Sequence, residues 1–225
     1  MTLIDGRVDL TDGELAELND EFDSWSATRI IRWAVETFSP HLAMTASMTD
    51  AVLIDLATKV DPGLEVIFID TGYHFPETLE TVEAVRRHYG LNLKMMTVAR
   101  QEEALWEADP ESCCSAVKVG QLDRALAGKL AWMSGLRRVE AASRGSAPIV
   151  ARDLRGLVKV NPIANWTDQD VEGYIRDHAI IVNPLTRQGY PSIGCMPCTT
   201  PVAPGEDPRA GRWRGSDRTE CGLHV

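Results

Sequence analysis

The sequence has no long apolar run, no excess of basic residues and no visible signal segment, and each absence excludes a class of protein. None of its 225 residues lie in a stretch long and apolar enough to cross a bilayer, so we expect no membrane role. Residues 1–5 lack a basic region followed by an apolar one, so we expect no secretory signal and a cytoplasmic protein. A formal net charge of -10 repels a polyanion, which argues against nucleic-acid binding.

The composition is that of an ordinary globular protein, with 44% hydrophobic and 25% charged residues and enough length for one sizeable core. Strand-like apolar runs alternate with helical patterns, which is typical of parallel βαβ units. We therefore predict a doubly wound, mostly parallel α/β sheet that binds ligands outside the carboxyl ends of its strands. The strand-like runs are residues 41–45, 64–69, 93–98, 131–136 and 157–160. The helical patterns are residues 14–38, 50–59, 76–90, 113–130 and 168–178.

The regular patterns end near residue 183, where proline and glycine become frequent. Both residue types interrupt helices and strands, so a loop-rich segment is predicted there. We expect residues 1–182 to form a nucleotide-binding α/β domain. Residues 183–225 are expected to form a loop and a flexible C-terminal tail that belong to the same functional unit.

The five cysteines are the most informative part of the composition. Four form two pairs, the adjacent Cys113 and Cys114 and the ends of Cys195-Met196-Pro197-Cys198, which is the count of a four-thiolate metal site. Zinc sites normally use two Cys-x-x-Cys hooks, whereas adjacent cysteines diverge and more easily reach two different irons of a cluster. On spacing alone, iron–sulfur ligation, zinc ligation and unrelated buried thiols all stay open.

Cys221 is the fifth cysteine and lies near the end of the proline- and glycine-rich segment. Such a segment suits a nucleophile that must meet a substrate and then another protein, because chain ends move at little free-energy cost. Neighbouring arginines and His224 are candidates for lowering its pKa. The alternative is that a cysteine in this position is incidental.

Arginines are grouped in the second half of this acidic chain, which suggests an anion-binding cleft. Guanidinium groups donate paired hydrogen bonds to phosphate and sulfate oxygens. The alternative is a solvated face, where most arginines are found. The group comprises Arg137, Arg138, Arg144, Arg209, Arg212 and Arg214.

Small hydroxyl residues follow the first two predicted strands, in residues 45–50 and in Asp70-Thr71-Gly72. Where a strand turns into a helix, such residues can place N–H and hydroxyl groups on a phosphate. Ordinary helix caps have a similar composition, so the pattern fits both interpretations.

With these residues collected, the chain resembles the assimilatory adenylyl-sulfate reductases, within the family of phosphoadenylyl-sulfate and adenylyl-sulfate reductases. The resemblance extends from about His41 to His224 and rests on short segments that occur in one order. These segments are Ile69-Asp70-Thr71-Gly72, Cys113-Cys114 with Lys118, Gly135-Leu136-Arg137-Arg138, Lys159-Val160-Asn161-Pro162, Asn183-Pro184-Leu185, residues 189–199, Arg209-Ala210-Gly211-Arg212-Trp213 and Glu220-Cys221-Gly222-Leu223-His224.

The resemblance implies a sheet of the adenine-nucleotide alpha-hydrolase type, a [4Fe–4S] cluster and a nucleophile at Cys221. It also implies adenylyl sulfate as substrate, because members without the cluster cysteines generally prefer the 3′-phosphorylated form. The implied cluster ligands are Cys113, Cys114, Cys195 and Cys198. The implied contacts to the phosphosulfate are Lys118, Arg144, Arg209 and Arg212. The other implied substrate-binding residues are Thr45, Ser47, Asp70, Thr71 and Gly72.

By the same resemblance, the Cys221 thiolate would attack the sulfur of adenylyl sulfate, release AMP and become S-sulfocysteine. Thioredoxin or a similar dithiol would then release sulfite. We expect the cluster to order Lys118 and the anion pocket instead of carrying electrons, since the dithiol already supplies two. Oligomeric state is left open, a homo-oligomer included.

Three features depart from the family pattern. Val117 precedes Lys118 where the family usually has arginine, which removes a positive charge close to the paired cysteines. Residues 45–50 contain no glycine, so the first nucleotide loop is unusual. The stretch between residues 98 and 111 is shorter than the family's.

Two other functions compete with this one. An ATP pyrophosphatase-type synthetase, such as a tRNA-thiolating enzyme, has the same sheet but needs a Ser-Gly-Gly-x-Asp-Ser loop, which residues 45–50 do not supply. The non-enzymatic alternative is a zinc- or cluster-containing redox-sensing nucleotide-binding module in which Cys221 is a regulatory thiol.

Overall fold

The structure is a computed structural model that describes residues 2–4, 7–98, 105–109, 113–214 and 220. Its strands form a two-stranded hairpin near the N-terminus and a six-stranded central sheet. In chain order the strands are β1 (Thr2–Ile4), β2 (Arg7–Asp9), β3 (Leu42–Thr45), β4 (Glu65–Asp70), β5 (Asn92–Thr97), β6 (Ala131–Met133), β7 (Val150–Arg152) and β8 (Val158–Val160).

Seven α-helices are described, of which six precede a later strand and the last follows β8. The α-helices are α1 (Asp12–Phe22), α2 (Ala27–Phe38), α3 (Val52–Thr58), α4 (Pro76–Tyr89), α5 (Leu105–Ala108), α6 (Gly120–Leu126) and α7 (Asp168–His178). Helix α7 begins at a capping box in which the Thr167 hydroxyl accepts the Asp170 N–H, and α4 ends at Gly90 with a left-handed backbone. In the parts of the chain that the structure describes, none of the helices combines the length and apolar character needed to cross a membrane.

The central sheet has the strand order β5-β4-β3-β6-β8-β7. All neighbours pair in parallel except β7, which pairs antiparallel with β8 at one edge. Met44, Val66, Met133 and Val160 in the four inner strands are completely buried, as expected for a sheet covered on both faces. From β3 the chain moves outward to β4 and β5, and β6 then lies on the other side of β3. This divergence opens a crevice at the carboxyl ends of β3 and β6.

The predicted doubly wound, mostly parallel sheet is confirmed, and the five predicted strands are all present, although their ends differ by a few residues. The sequence did not indicate β7 or the hairpin of β1 and β2. Each of these strands has only three residues, so none forms an apolar run that stands out from a loop.

Between residues 183 and 214 the helical elements are two short 3₁₀ turns, Pro184–Gln188 and Met196–Cys198. Their prolines occupy first-turn positions, where a missing N–H does no harm. The division of the chain at residue 182 stays a prediction.

Candidate active site

A cavity of about 620 Å³ opens at the carboxyl ends of β3, β4 and β6. This is the crevice where doubly wound sheets bind ligands, and the volume is within the usual range for a small-molecule site. Strand ends form its floor, and residues from α7 and from the stretch 182–212 form much of its wall. The loop-rich segment of the sequence therefore closes one side of the cavity.

The turn after β3 shapes the part of the cavity that contains Thr45 and Ser47. Thr45 Oγ1 donates to a carbonyl of β6 at 3.3 Å, and Ser47 Oγ lies 3.4 Å from Thr49 Oγ1. Met48 has a left-handed backbone (φ 61°) and a buried side chain, so a methionine makes the turn for which glycine is the usual residue. Asp50 then accepts the first N–H of α3 at 2.9 Å, and burial raises the pKa of this carboxyl.

The four paired cysteines are half-buried thiols from two distant segments. Cys113 and Cys114 begin a π-helix (Cys113–Val119) that continues directly into α6, and Cys195 and Cys198 flank a 3₁₀ turn. Burial, together with negative charge on the other three cysteines, raises the pKa of Cys198 to about 11. The fold therefore brings the two pairs close enough to interact electrostatically.

These four thiols fit an iron–sulfur cluster by the chemistry of their donor atoms. Clusters of the [4Fe–4S] type are held by four thiolates, each on its own iron, so the sulfurs lie further apart than around a single ion. In the described ranges, no group of three or more His, Cys, Asp or Glu side chains is arranged to hold a single metal ion. The fit of the four half-buried thiols to a cluster therefore rests on their number and donor chemistry.

The turn Asp70-Thr71-Gly72 holds the segment that begins at Cys195. Thr71 Oγ1 lies 3.2 Å from Cys195 Sγ, and the Met196 N–H donates to the carbonyl of Tyr73 at 2.7 Å. Within the described part of the chain this turn lies outside the cavity wall. Its predicted contact with a substrate stays a prediction, and its observed contacts are with the cysteine segment.

The π-helix also supplies Lys118, which lines the cavity. A π turn joins residues five apart, so Lys118 lies about one turn beyond Cys113. Single π turns within helices are uncommon and occur frequently at functional sites. One short element therefore carries two of the paired cysteines and a cation of the cavity.

The predicted anion-binding arginines converge on one side of the cavity. Arg144 donates from Nε and Nη2 to the two carboxylate oxygens of Glu220 at 2.7 and 2.8 Å, and Arg209 Nη2 donates to Glu220 at 3.1 Å. Arg209 Nη1 and Arg212 Nη1 both donate to Ser192 Oγ at 3.3 Å. The side chains of Arg144 and Arg209 are only 10% and 14% exposed, so with Arg212 they form a half-enclosed cationic pocket. Arg138 and Arg214 do not line the cavity and pair with Asp23 and Glu206, and Arg214 is 50% exposed.

Arg212 is fixed by two neighbours. Its guanidinium lies so close to Gly194 that a Cβ there would overlap Nη2, and it lies 4.4 Å from the ring centre of Trp213. Its Nε is buried and has no hydrogen-bond partner among the described residues. Buried donors without a protein partner are rare in folded proteins, and a water or an ion often supplies the acceptor. Arg212 is therefore suited to receive an anion.

Sequence reasoning did not single out Glu220 and Ser192 as site residues. Both lie in motifs that carry the family resemblance, and Glu220 directly precedes Cys221, but a carboxylate is not an expected member of an anion pocket. The predicted nucleophile Cys221 lies outside the described residues, so its role stays a prediction.

Comparison with known proteins identifies the family. Residues 40–201, more than half of the chain, match the family model described as the phosphoadenosine phosphosulfate reductase domain. The chain belongs to the phosphoadenosine phosphosulfate reductase family. The part that matches this reductase domain includes the four paired cysteines, Lys118 and Arg144, whereas Arg209, Arg212 and Cys221 lie beyond it.

Two relatives from this reductase family are named adenosine 5′-phosphosulfate reductase. The protein of Mycolicibacterium smegmatis is 48% identical over 228 residues, and the match covers 96% of this chain and 97% of that protein. The protein of Mycobacterium tuberculosis is 47% identical over 246 residues, with the same coverage of 96% and 97%. The crystal structure of phosphoadenylyl-sulfate (PAPS) reductase from Candida auris, a phosphate complex, has a TM-score of 0.77 and 30% identity, and covers 88% of this chain and 100% of that chain.

Proposed function

We propose that the chain is an adenylyl-sulfate reductase, which converts adenylyl sulfate and a dithiol into sulfite, AMP and a disulfide. The cavity at the carboxyl ends of β3, β4 and β6 carries this proposal, because Lys118 and four arginines line a space of the size that a small sulfated nucleotide needs. The names of the relatives support adenosine 5′-phosphosulfate, which is adenylyl sulfate, as the substrate.

The reaction uses Cys221 as a nucleophile. Its thiolate forms a bond to the sulfur of the sulfate, the bond from that sulfur to the phosphate oxygen breaks, and AMP leaves with the electron pair. One thiolate of a dithiol such as thioredoxin then attacks the Cys221 sulfur, and sulfite leaves with the electrons of the broken bond. The second thiol of the reductant closes the disulfide. The cytoplasm is the compartment that supplies such a dithiol and keeps thiols reduced.

The cations of the cavity stabilise the charge that develops during the first step. Negative charge grows on the phosphate oxygen as AMP leaves, and donors held in place beforehand need little reorganisation. Lys118 and Arg212 face the same cavity from opposite segments of the chain, the π-helix and the stretch after residue 183. They can therefore contact two parts of one phosphosulfate group.

The paired cysteines are proposed to hold a [4Fe–4S] cluster, which when bound supplies a fixed charge and ties the π-helix to the Cys195–Cys198 segment. Backbone hydrogen bonds join the Cys195–Cys198 segment to the segment that contains Arg212, since the Trp213 N–H donates to the carbonyl of Cys198 at 3.0 Å. The Thr200 N–H likewise donates to the carbonyl of Gly211 at 2.9 Å. Arg212 is therefore held beside the segment that contains two cluster ligands.

Sulfite release by anaerobically purified protein tests the proposal. Adenylyl sulfate and its 3′-phosphorylated form are each supplied with thioredoxin, to the parent chain and to Cys221→Ser, and iron and zinc are measured in both preparations. We expect the parent to contain iron and to release sulfite from adenylyl sulfate, and Cys221→Ser to keep its iron but release none. A colourless, zinc-containing protein, or sulfite release by Cys221→Ser, would contradict the proposal.

A further inference from the structure

The carboxylate of Glu220 lies in the middle of the arginine pocket and is bound through both of its oxygens. Oε1 accepts from Arg144 Nε at 2.7 Å and from Ser143 Oγ at 3.4 Å. Oε2 accepts from Arg144 Nη2 at 2.8 Å and from Arg209 Nη2 at 3.1 Å. Two parallel bonds from one guanidinium to one carboxylate are the strongest common form of this contact.

This contact is largely shielded from water. The side chain of Glu220 is 16% exposed, and those of Arg144 and Arg209 are 10% and 14% exposed. Burial acts to raise the pKa of Glu220, but the hydrogen bonds and charge of Arg144 hold that pKa below its usual value. The group is therefore a carboxylate at neutral pH, and solvent screens its attraction to the two arginines only weakly.

While Glu220 is bound, the Nε–Nη2 edge of Arg144 is not open to another anion. Its Nε and Nη2 face Glu220, and its Nη1 donates to Glu140 Oε2 at 2.5 Å. Removing Glu220 without a substitute would leave the Nε and Nη2 of Arg144 largely desolvated without the carboxylate they face, with Glu140 as its other anionic partner. An anion at this position is therefore favoured.

We propose that Glu220 and the oxyanion of the substrate are alternative occupants of the Arg144–Arg209 pair; the identity of that oxyanion rests on the proposed function. A carboxylate and a sulfate or phosphate both present two oxygens to the edge of a guanidinium. Without substrate the carboxylate occupies the edge, and an entering sulfate or phosphate displaces it. Because Glu220 directly precedes Cys221 in the sequence, the exchange takes place next to the proposed nucleophile.

Calorimetric titration of the full-length, cluster-containing chain with inorganic sulfate tests this competition. Glu220→Gln keeps the shape of the side chain but removes its charge, so sulfate no longer has to displace a carboxylate. We expect the dissociation constant for sulfate to fall about tenfold or more, since an occupied site lowers the apparent affinity by the fraction of chains in which it is open. Adenylyl sulfate titrated into Glu220→Gln with Cys221→Ser should show the same gain over Cys221→Ser alone.

Glu206→Gln is the matched control, because Glu206 pairs with exposed Arg214 at 3.2 Å and does not contact the arginine pocket. It removes the same charge and should leave the affinity for sulfate unchanged. Glu220→Asp keeps the charge on a shorter side chain and should give an intermediate affinity. Iron content and circular dichroism verify that each variant is folded.

Unchanged or weaker sulfate binding by Glu220→Gln would overturn the proposed competition. An equal gain in Glu206→Gln would also overturn it, because the effect would then be one of net charge. Tighter sulfate binding by a protein that does not reduce adenylyl sulfate would keep the competition and reject the proposed function. If the parent reduced adenylyl sulfate but Glu220→Gln did not change the affinity for sulfate, the proposed function would stand and the competition would be rejected.

Discussion

Among single residues, Gly194 gives a sharp test of the anion pocket, because its missing side chain makes room for Arg212. A Cβ at this position would overlap Arg212 Nη2, so Gly194→Ala must displace the guanidinium. Losing a hydrogen bond to a charged group costs about 1.5–3 kcal/mol. We therefore expect the dissociation constant for adenylyl sulfate, measured in a Cys221→Ser background, to rise roughly tenfold to a hundredfold.

Gly13→Ala in α1 is the control for this substitution, since the nearest atom to its Cβ would be Thr11 Oγ1 at 3.9 Å. It should leave the affinity for adenylyl sulfate unchanged. If Gly194→Ala also bound adenylyl sulfate normally, Arg212 would not be a contact to the substrate anion.

Lys159 gives a prediction about stability and pH. Its amine lies 5.0 Å from the ring centre of Trp132, and burial, opposed by the charge of Asp153, lowers its pKa from 10.5 to about 8. Below pH 8 Lys159 is protonated in both the folded and the unfolded chain, but burial makes the charged amine less stable in the folded chain. This lowers the free energy of unfolding by at most about 3 kcal/mol. This penalty fades as the pH rises from 8 to 10.5.

We expect Lys159→Met to raise the free energy of unfolding at pH 7, and the gain over the parent to shrink steadily between pH 8 and pH 10.5. Urea denaturation at a series of pH values measures both quantities. A difference between the two proteins that does not change with pH would show that the amine keeps its ordinary pKa in the folded chain.

For single residues, the cysteine and arginine groups could be predicted from the sequence, but not all of their contacts could. Paired cysteines and clustered arginines stand out by residue type and spacing. The contact of Glu220 with Arg144 joins residues 76 positions apart, so it depends on the fold. The hydrogen bond between Thr71 and Cys195 likewise cannot be predicted from local sequence patterns, since 124 positions separate the two residues.

Among the elements, the helix that begins at Cys113 shows the limit of a periodicity argument. Residues 113–130 were predicted to be helical, and the structure has a π-helix followed by α6, which ends at Leu126. Among the residues of this stretch whose burial is described, the apolar ones that face the core are Leu122, Ala125 and Leu126 of α6. The apolar pattern therefore predicts the α-helical part of this stretch but does not predict the π-helix that precedes it.

For the whole molecule, the position of the site follows from the topology of the sheet. Buried parallel strands could be predicted from their continuous apolar runs, and the strand order then places a crevice at the carboxyl ends of β3 and β6. The part that could not be predicted is the path of residues 183–214. Proline and glycine indicated loops there, but the close approach of this segment to the residues that follow β4 and to the π-helix depends on contacts between distant residues.

The central claim is that Cys221 accepts the sulfonate while the four paired cysteines hold iron. The most direct test mixes the full-length protein with adenylyl sulfate in the absence of any reductant, then digests it and locates the modified cysteine by mass spectrometry. We predict stoichiometric release of AMP and the mass of one SO₃ group on the peptide that contains Cys221, with none on the other cysteines. A sulfonate on any of the four paired cysteines, or release of AMP with no adduct, would contradict the claim.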